Sequence, residues 1–191
     1  NSKLKGAQLQ QAIDERMNSD PDSTSSRQAS KLRKEILGSP DVYGKPQFTT
    51  LAKGSYEVAP AGTADMILSF RNVHNWMAGH YANEVFNAAF RALKPGGVLG
   101  IVEHRAKPGR QDPEARSGYV AEAFVIELAL SAGFRLAAAS EINANPKDTK
   151  DYPNGVWTLP PSYALGAFDR SRYAALGESD RMTLKFIKPS L

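Results

Sequence analysis

The sequence predicts an α/β fold: a mostly parallel sheet with helices on both faces and a final antiparallel strand. Three observations carry this. Short apolar runs at ADMILSF (64–70), VLGIVEHR (98–105) and FRLAAASEI (134–142) alternate with helical patterns within 76–97 and over 119–133. A last run, MTLKFIKP (182–189), alternates apolar and polar residues but follows a long irregular stretch rather than a helix. At 191 residues, 41% hydrophobic and 23% charged, the chain can bury one sizeable core without a disulfide or metal staple.

The elements follow in order. Residues 4–17 place Leu9, Ile13 and Met17 on one helical stripe. SDPDSTSS (19–26) reads as a polar loop. Residues 25–37 read as a second amphipathic helix, with Ala29, Leu32 and Ile36 inward and serines to cap its start. GSPDVYGKP (38–46) is punctuation, QFTTLA (47–52) a short strand candidate, and 53–64 a loop leading into ADMILSF. The run 76–97 contains a helix with Val85, Phe86, Ala89, Phe90 and Leu93 on one face, stopped by Pro95-Gly96-Gly97. After the strand at 98–105 come a loop and a helix over 119–133, closed by Gly133. Trp76 reads as core. The segment 143–181, rich in proline and aromatics, is far longer than an ordinary hairpin loop, so it reads as a lid or an ordered cover. The expected organisation is one domain over 1–191: a helical segment at 1–38, a sheet core at 39–142 and 182–191, and the cover at 143–181.

Composition narrows the chemistry. There are no cysteines, which removes a thiol nucleophile, a zinc-thiolate site and a disulfide framework. The net charge of +4 is mildly basic. Arg27, Lys31, Arg33 and Lys34 share one helix and read as a solvated face rather than a nucleic-acid patch. No apolar run approaches the roughly 18 residues of a membrane span. The first residues, NSKLKGAQLQ, have no apolar core of a signal peptide, so a cytoplasmic location is expected. His74, His80, His104 and Glu103 match no standard metal-ligand spacing, and no metal is expected.

In parallel sheets, ligands bind outside the carboxyl ends of the strands. Arg71, Asn72 and His74 stand at the carboxyl end of one predicted strand, and Glu103, His104 and Arg105 at that of the next. Strands joined by one helix are usually neighbours roughly 5 Å apart, so the two polar clusters converge on one crevice. In that crevice His74 and His104 can act as general bases, and Arg71 can hold an anion. Glu103 can pair a cation or fix the His74 tautomer. Asn145, Asp148, Tyr152, Trp157 and Tyr163 can close over a substrate from the long segment.

ADMILSFRNVHNWM followed by AFRALKPGGVLGIVEHR resembles the class I S-adenosylmethionine-dependent methyltransferases, which have a Rossmann-like fold. Asp65-Met66-Ile67 matches the opening of that superfamily's fourth strand, and Leu93-Lys94-Pro95-Gly96-Gly97 its turn into the fifth. The FRNV run (70–73) is similar to the ubiquinone/menaquinone C-methyltransferases. The stretch from EHRAKPG through GFRLAAASEINANPKDTKDYPNGVWTLPP to GESDRMTLKF resembles a bacterial methyltransferase group of unassigned substrate. The likeness covers about residues 40–191. The family's glycine-rich loop after its first strand and the acidic residue after its second have no counterpart in this sequence. Lys53-Gly54 stands about where the family carries an acidic residue near the adenine. On this pattern the first strands of the sheet are expected to be missing from the chain: the domain is incomplete at its N-terminus, another chain supplies that half, or the site has been abandoned.

Strand-end position and resemblance together imply roles. Arg71, His74 and His104 are the catalytic candidates. Asn72, Ser69 and Glu103 are the candidates for holding S-adenosylmethionine. Arg105, Tyr152 and Trp157 are the candidates for holding a small-molecule substrate. A homo-oligomer would cover the exposed sheet edge. The implied activity is methyl transfer to a small molecule. The alternative is a non-catalytic ligand-binding or scaffold protein that has lost the cofactor loop. A nucleic-acid methyltransferase ranks lowest, because strand four carries no Asp/Asn-Pro-Pro-aromatic motif.

Overall fold

A computed structural model describes residues 24–190. The chain divides into two compact units, Asn1–Thr50 and Leu51–Leu191. The helix expected over 4–17 lies outside the described residues.

The first unit contains helix α1, Thr24–Leu37, and a single helical turn α2, Pro40–Tyr43. Thr24, expected in the loop, belongs to α1, and Ser25 and Ser26, where the loop and helix expectations overlap, are helical. Lys34 in its last turn complements the negative end of the helix dipole. The N–H of Gly38 donates to the Lys34 carbonyl at 2.9 Å and ends the helix. Leu32 does not point inward as its spacing predicts; it is 56% exposed. Pro40 opens α2, where its missing N–H costs nothing, so the expected irregular stretch contains a helical turn. The strand expected at 47–52 does not form. Ala52 of that run makes an isolated bridge to Ser55, and among the described residues no strand pairs with the run to form a ladder.

The second unit is built on four strands: β1 Ala64–Phe70, β2 Leu93–His104, β3 Arg135–Ser140 and β4 Arg181–Ile187. Their spatial order is β1-β2-β4-β3. β1 runs parallel to β2, with Met66 opposite Val98 and Phe70 opposite Val102. β4 is antiparallel to both β2 and β3, so β1, β2 and β3 all point one way. The carboxyl ends of β1 and β2 therefore lie side by side, and β4 begins beside the end of β2, with Arg181 opposite His104.

Between β1 and β2 the sequence predicts one helix, but the structure has two, α3 Val73–Ala78 and α4 Ala82–Ala92. The break falls at Gly79-His80, where His80 adopts a left-handed conformation at φ 57° that no helix continues through. The last α4 carbonyls find partners outside the helix. Lys188 Nζ donates to the carbonyls of Phe90 at 2.7 Å and Leu93 at 2.8 Å, and the Thr63 N–H donates to that of Ala92 at 3.0 Å. β2 begins at Leu93, so the chain is already extended through the Pro-Gly-Gly turn.

Helix α5, Glu122–Ser131, leads to Gly133 at φ 103°, where a Cβ would stand 2.9 Å from the Phe90 ring. Glycine there answers both the conformation and the close approach. The core joins Phe86 and Ala89 of α4, Val125 and Leu128 of α5, Leu99 and Ile101 of β2, and Met182, Leu184 and Phe186 of β4. Alternation along β2 puts Glu103 on the same inward side as Leu99 and Ile101. Trp76 packs edge-on against Phe86, with ring centroids 6.2 Å apart. On β1, Met66, Leu68 and Phe70 are each more than half exposed. The long segment before β4 holds a 3₁₀ turn, η1 Gly155–Thr158, and a short helix, α6 Arg170–Leu176. Among the described residues, no helix is long and apolar enough to cross a membrane.

Candidate functional site

β1 ends at Phe70, and the chain turns sharply at Arg71. The Arg71 N–H still donates to the Val102 carbonyl at 2.7 Å, extending the ladder by one residue. Its φ of 59° lies in the left-handed region, which costs a side-chain-bearing residue about 1 kcal/mol or more. This turn brings Asn72 to the head of α3 and His74 over the end of β2. Asn72 Nδ2 donates back to the Phe70 carbonyl at 3.3 Å.

Glu103 is fully buried. A buried carboxylate must be matched by donors, and three converge on it. Its Oε2 accepts the His74 backbone N–H at 3.2 Å. Its Oε1 accepts the His104 backbone N–H at 2.8 Å and lies 3.0 Å from His74 Nδ1. A carboxylate only accepts, so the His74 proton sits on Nδ1 and the lone pair on Nε2. Glu103 thus fixes the tautomer of His74.

His104 Nδ1 lies 2.5 Å from Ser179 Oγ. Burial pushes the His104 imidazole down to about 4, with Glu103 opposing the shift and the cations Arg71 and Arg181 adding to it. The ring is uncharged at neutral pH. The centroids of the His74 and His104 rings are 5.5 Å apart, and Trp157 of η1 meets His74 edge-on at 5.9 Å.

These groups border a cleft of about 310 Å³ whose walls include Arg71, Asn72, His74, His104, Trp157 and Ser179. A second, mostly apolar cavity of about 190 Å³ lies beside it, lined by Ile67, Ser69, Asn72, Trp76 and Phe86 among others. Asn72 lines both. Ser69 Oγ is buried in the second cavity and has no hydrogen-bond partner among the described residues.

Arg71, Asn72, His74, His104 and Trp157 therefore come together, with Glu103 beneath them and Ser69 in the adjoining cavity. Arg105 and Tyr152 do not join them. Arg105 donates to Asp180 at 3.0 and 3.1 Å and to Glu141 at 2.6 and 2.8 Å, tying the end of β2 to the chain around β4. Those bonds, with Glu141 first, hold its guanidinium protonated beyond its ordinary range. Burial raises the Asp180 carboxyl, but Arg105, Lys150 and the Asn145 N–H outweigh it and bring it down to about 2. Tyr152 accepts the Thr149 N–H at 3.0 Å and packs edge-on against Tyr173.

Other residues of the long segment act on the segment itself. Asp148 is buried, accepts the Tyr119 hydroxyl at 2.9 Å and the Asp180 N–H at 2.7 Å. Burial, reinforced by Asp148, pushes the Tyr119 hydroxyl up. Asn145 Nδ2 donates to the Leu176 carbonyl at 2.9 Å, and the Arg170 guanidinium lies 3.7 Å from the centre of the Tyr163 ring. Ser179 and Glu178 line the cleft but carry no motif. His80 stands apart, 4.0 Å from Glu114. One donor atom each from His74, Glu103 and His104 lie within 4.8 Å of one another, close enough to share a divalent cation.

No family model matches the chain, and no curated protein matches its sequence. Solved structures share its fold. The [4+2]-cyclase SpnF superposes with a TM-score of 0.58 at 14% identity, over 88% of this chain and 65% of that one. The 1,6-didemethyltoxoflavin-N1-methyltransferase of Burkholderia thailandensis, solved with 1,6-didemethyltoxoflavin and S-adenosylhomocysteine, superposes at 0.50 and 14% identity, over 82% of this chain and 57% of that one. The chain spans less than two thirds of the length of either. The fold these structures share with the chain is a Rossmann-like α/β fold, a mixed sheet with helices around it.

Proposed function

We propose that the chain serves S-adenosylmethionine-dependent methyl transfer to a small molecule. One observation carries this reading: a histidine with a fixed tautomer, His74 on Glu103, opens onto a cleft at the adjoining ends of β1 and β2. Methyl transfer needs its nucleophile freed of a proton and aimed at the electrophile. His74 Nε2 takes that proton, and Glu103 steadies the imidazolium that results. His104, neutral and anchored on Ser179, orients the acceptor by hydrogen bonding without adding charge.

The adjoining cavity offers room for part of the cofactor. Its apolar walls suit an adenosine, and the orphaned Ser69 Oγ offers a hydrogen bond to a polar group there. Ser69 and Asn72 would hold the group, which would supply an electrophilic methyl on a sulfonium. Asn72, shared by both cavities, marks where cofactor and acceptor meet. Trp157 and Ser179 reach the cleft from the 143–181 segment, which supports its role as a cover. Among the described residues β1 is paired on one side only, and this edge with its exposed Met66, Leu68 and Phe70 supports a second copy of the chain as a partner. The narrower kinship with quinone C-methyltransferases rests on the FRNV motif.

Calorimetric titration with S-adenosylhomocysteine tests the reading. Saturable binding tighter than about 1 mM, weakened by Asn72→Ala, is expected. No heat at millimolar ligand would overturn it.

A further inference from the structure

The charges around the polar cleft do not balance. Glu103 is saturated by three N–H donors. Glu178, at the rim, is paired with Arg181. His104 is neutral, and the His74 proton is held by Glu103. Arg71 lines the same cleft, and its guanidinium has no ion pair among the described residues. One cation without an ion pair, exposed to solvent, thus borders the space where an acceptor would sit.

Two further features bear on what matches it. Arg71 keeps its side chain at a left-handed position where glycine would be less strained. That pattern, strain retained at a cleft, is common at ligand-binding sites. Trp157, 38% exposed, lines the cleft with its aromatic ring, and Pro160 and Pro161 add apolar surface. A guanidinium is planar and binds carboxylate, phenolate or enolate oxygens through paired N–H groups.

We propose that the cleft selects an anionic planar small molecule, with the Arg71 guanidinium holding its anionic oxygen and Trp157 covering its ring. This deepens the methyl-transfer reading and rests on it for the reaction the bound molecule undergoes. The ring's reacting hydroxyl or carbon then faces His74, while the anion is held at the opposite end by Arg71. Carboxylate chemistry could also come from the amino-acid end of the cofactor, and the test separates the two.

The probes are 4-hydroxybenzoate and its neutral counterpart of the same size, 4-hydroxybenzamide, titrated into the 191-residue chain and followed by tryptophan fluorescence. The acid is expected to bind at least about tenfold tighter than the amide. Arg71→Gln should bring the acid to within about threefold of the amide, and Arg71→Lys should keep part of the preference as a point charge. S-adenosylhomocysteine, titrated into the same proteins, should respond to Arg71→Gln by less than about threefold. Equal affinities for acid and amide in the unmodified chain, including no binding of either, would overturn the proposal. So would an Arg71→Gln variant that loses S-adenosylhomocysteine and keeps the acid, because Arg71 would then serve the cofactor. Failure of S-adenosylhomocysteine to bind, with the acid preference intact, would refute methyl transfer and leave the anion site standing.

Discussion

Replacing Glu103 by glutamine changes one oxygen into an amide and leaves the shape alone. The two carboxylate oxygens are not equivalent. Oε1 serves His74 Nδ1 and the His104 N–H; Oε2 serves only the His74 N–H, at 3.2 Å. The glutamine oxygen will stay where two donors meet. Its NH₂ group is then forced against the His74 N–H, donor to donor, in a site with no solvent exposure. One backbone N–H and one amide N–H go unpaired, and a buried unsatisfied group costs about 1–3 kcal/mol. The two surviving hydrogen bonds lose their charge, which roughly halves their strength. A loss of about 2–4 kcal/mol is expected, read as a lower urea midpoint at unchanged slope at pH 7.5. Glu103→Ala strands all three donors and should cost about 3–5 kcal/mol. A Glu103→Gln variant within about 0.5 kcal/mol of the unmodified protein would refute the bonding scheme assigned to Glu103.

Two further outcomes follow from neighbouring groups. His104 is held at about 4 in the fold against about 6.5 unfolded, so between those values the unfolded chain binds more protons. Stability should be fully present above pH 6.5 and fall as pH drops toward 4, by at most about 3 kcal/mol from this group; His104→Gln should flatten that part of the profile in urea titrations run across pH, and parallel profiles would contradict it. Arg71→Gly should raise the urea midpoint, by about 1 kcal/mol, because it relaxes the left-handed turn at φ 59°; a lower midpoint would show that the Arg71 side chain stabilises the fold.

Much of the sheet was legible because its strands advertise themselves locally. ADMILSF is an apolar run bounded by Gly62-Thr63 and by Arg71, and β1 matches it residue for residue. Convergence of Arg71, Asn72, His74 and His104 followed from placing two consecutive parallel strands side by side. The misses depended on distant partners. QFTTLA has strand composition but, among the described residues, no strand that pairs with it in a ladder. Arg105 sits at a strand end like a ligand-binding residue, yet Asp180, 75 residues on, and Glu141 claim its guanidinium. Ser179 enters the site only because β4 inserts between β2 and β3 and delivers its preceding residues to His104. The break between α3 and α4 turns on the left-handed His80, a residue type that gives little warning of that conformation.

The most direct test of methyl transfer is an amide and indole spectrum of ¹⁵N-labelled chain titrated with S-adenosylhomocysteine. Saturable shifts at Ser69, Asn72 and the Trp76 indole, which line the apolar cavity, are predicted. An unchanged spectrum at millimolar ligand, or shifts confined to residues away from that cavity, would contradict the assignment of this site to the cofactor.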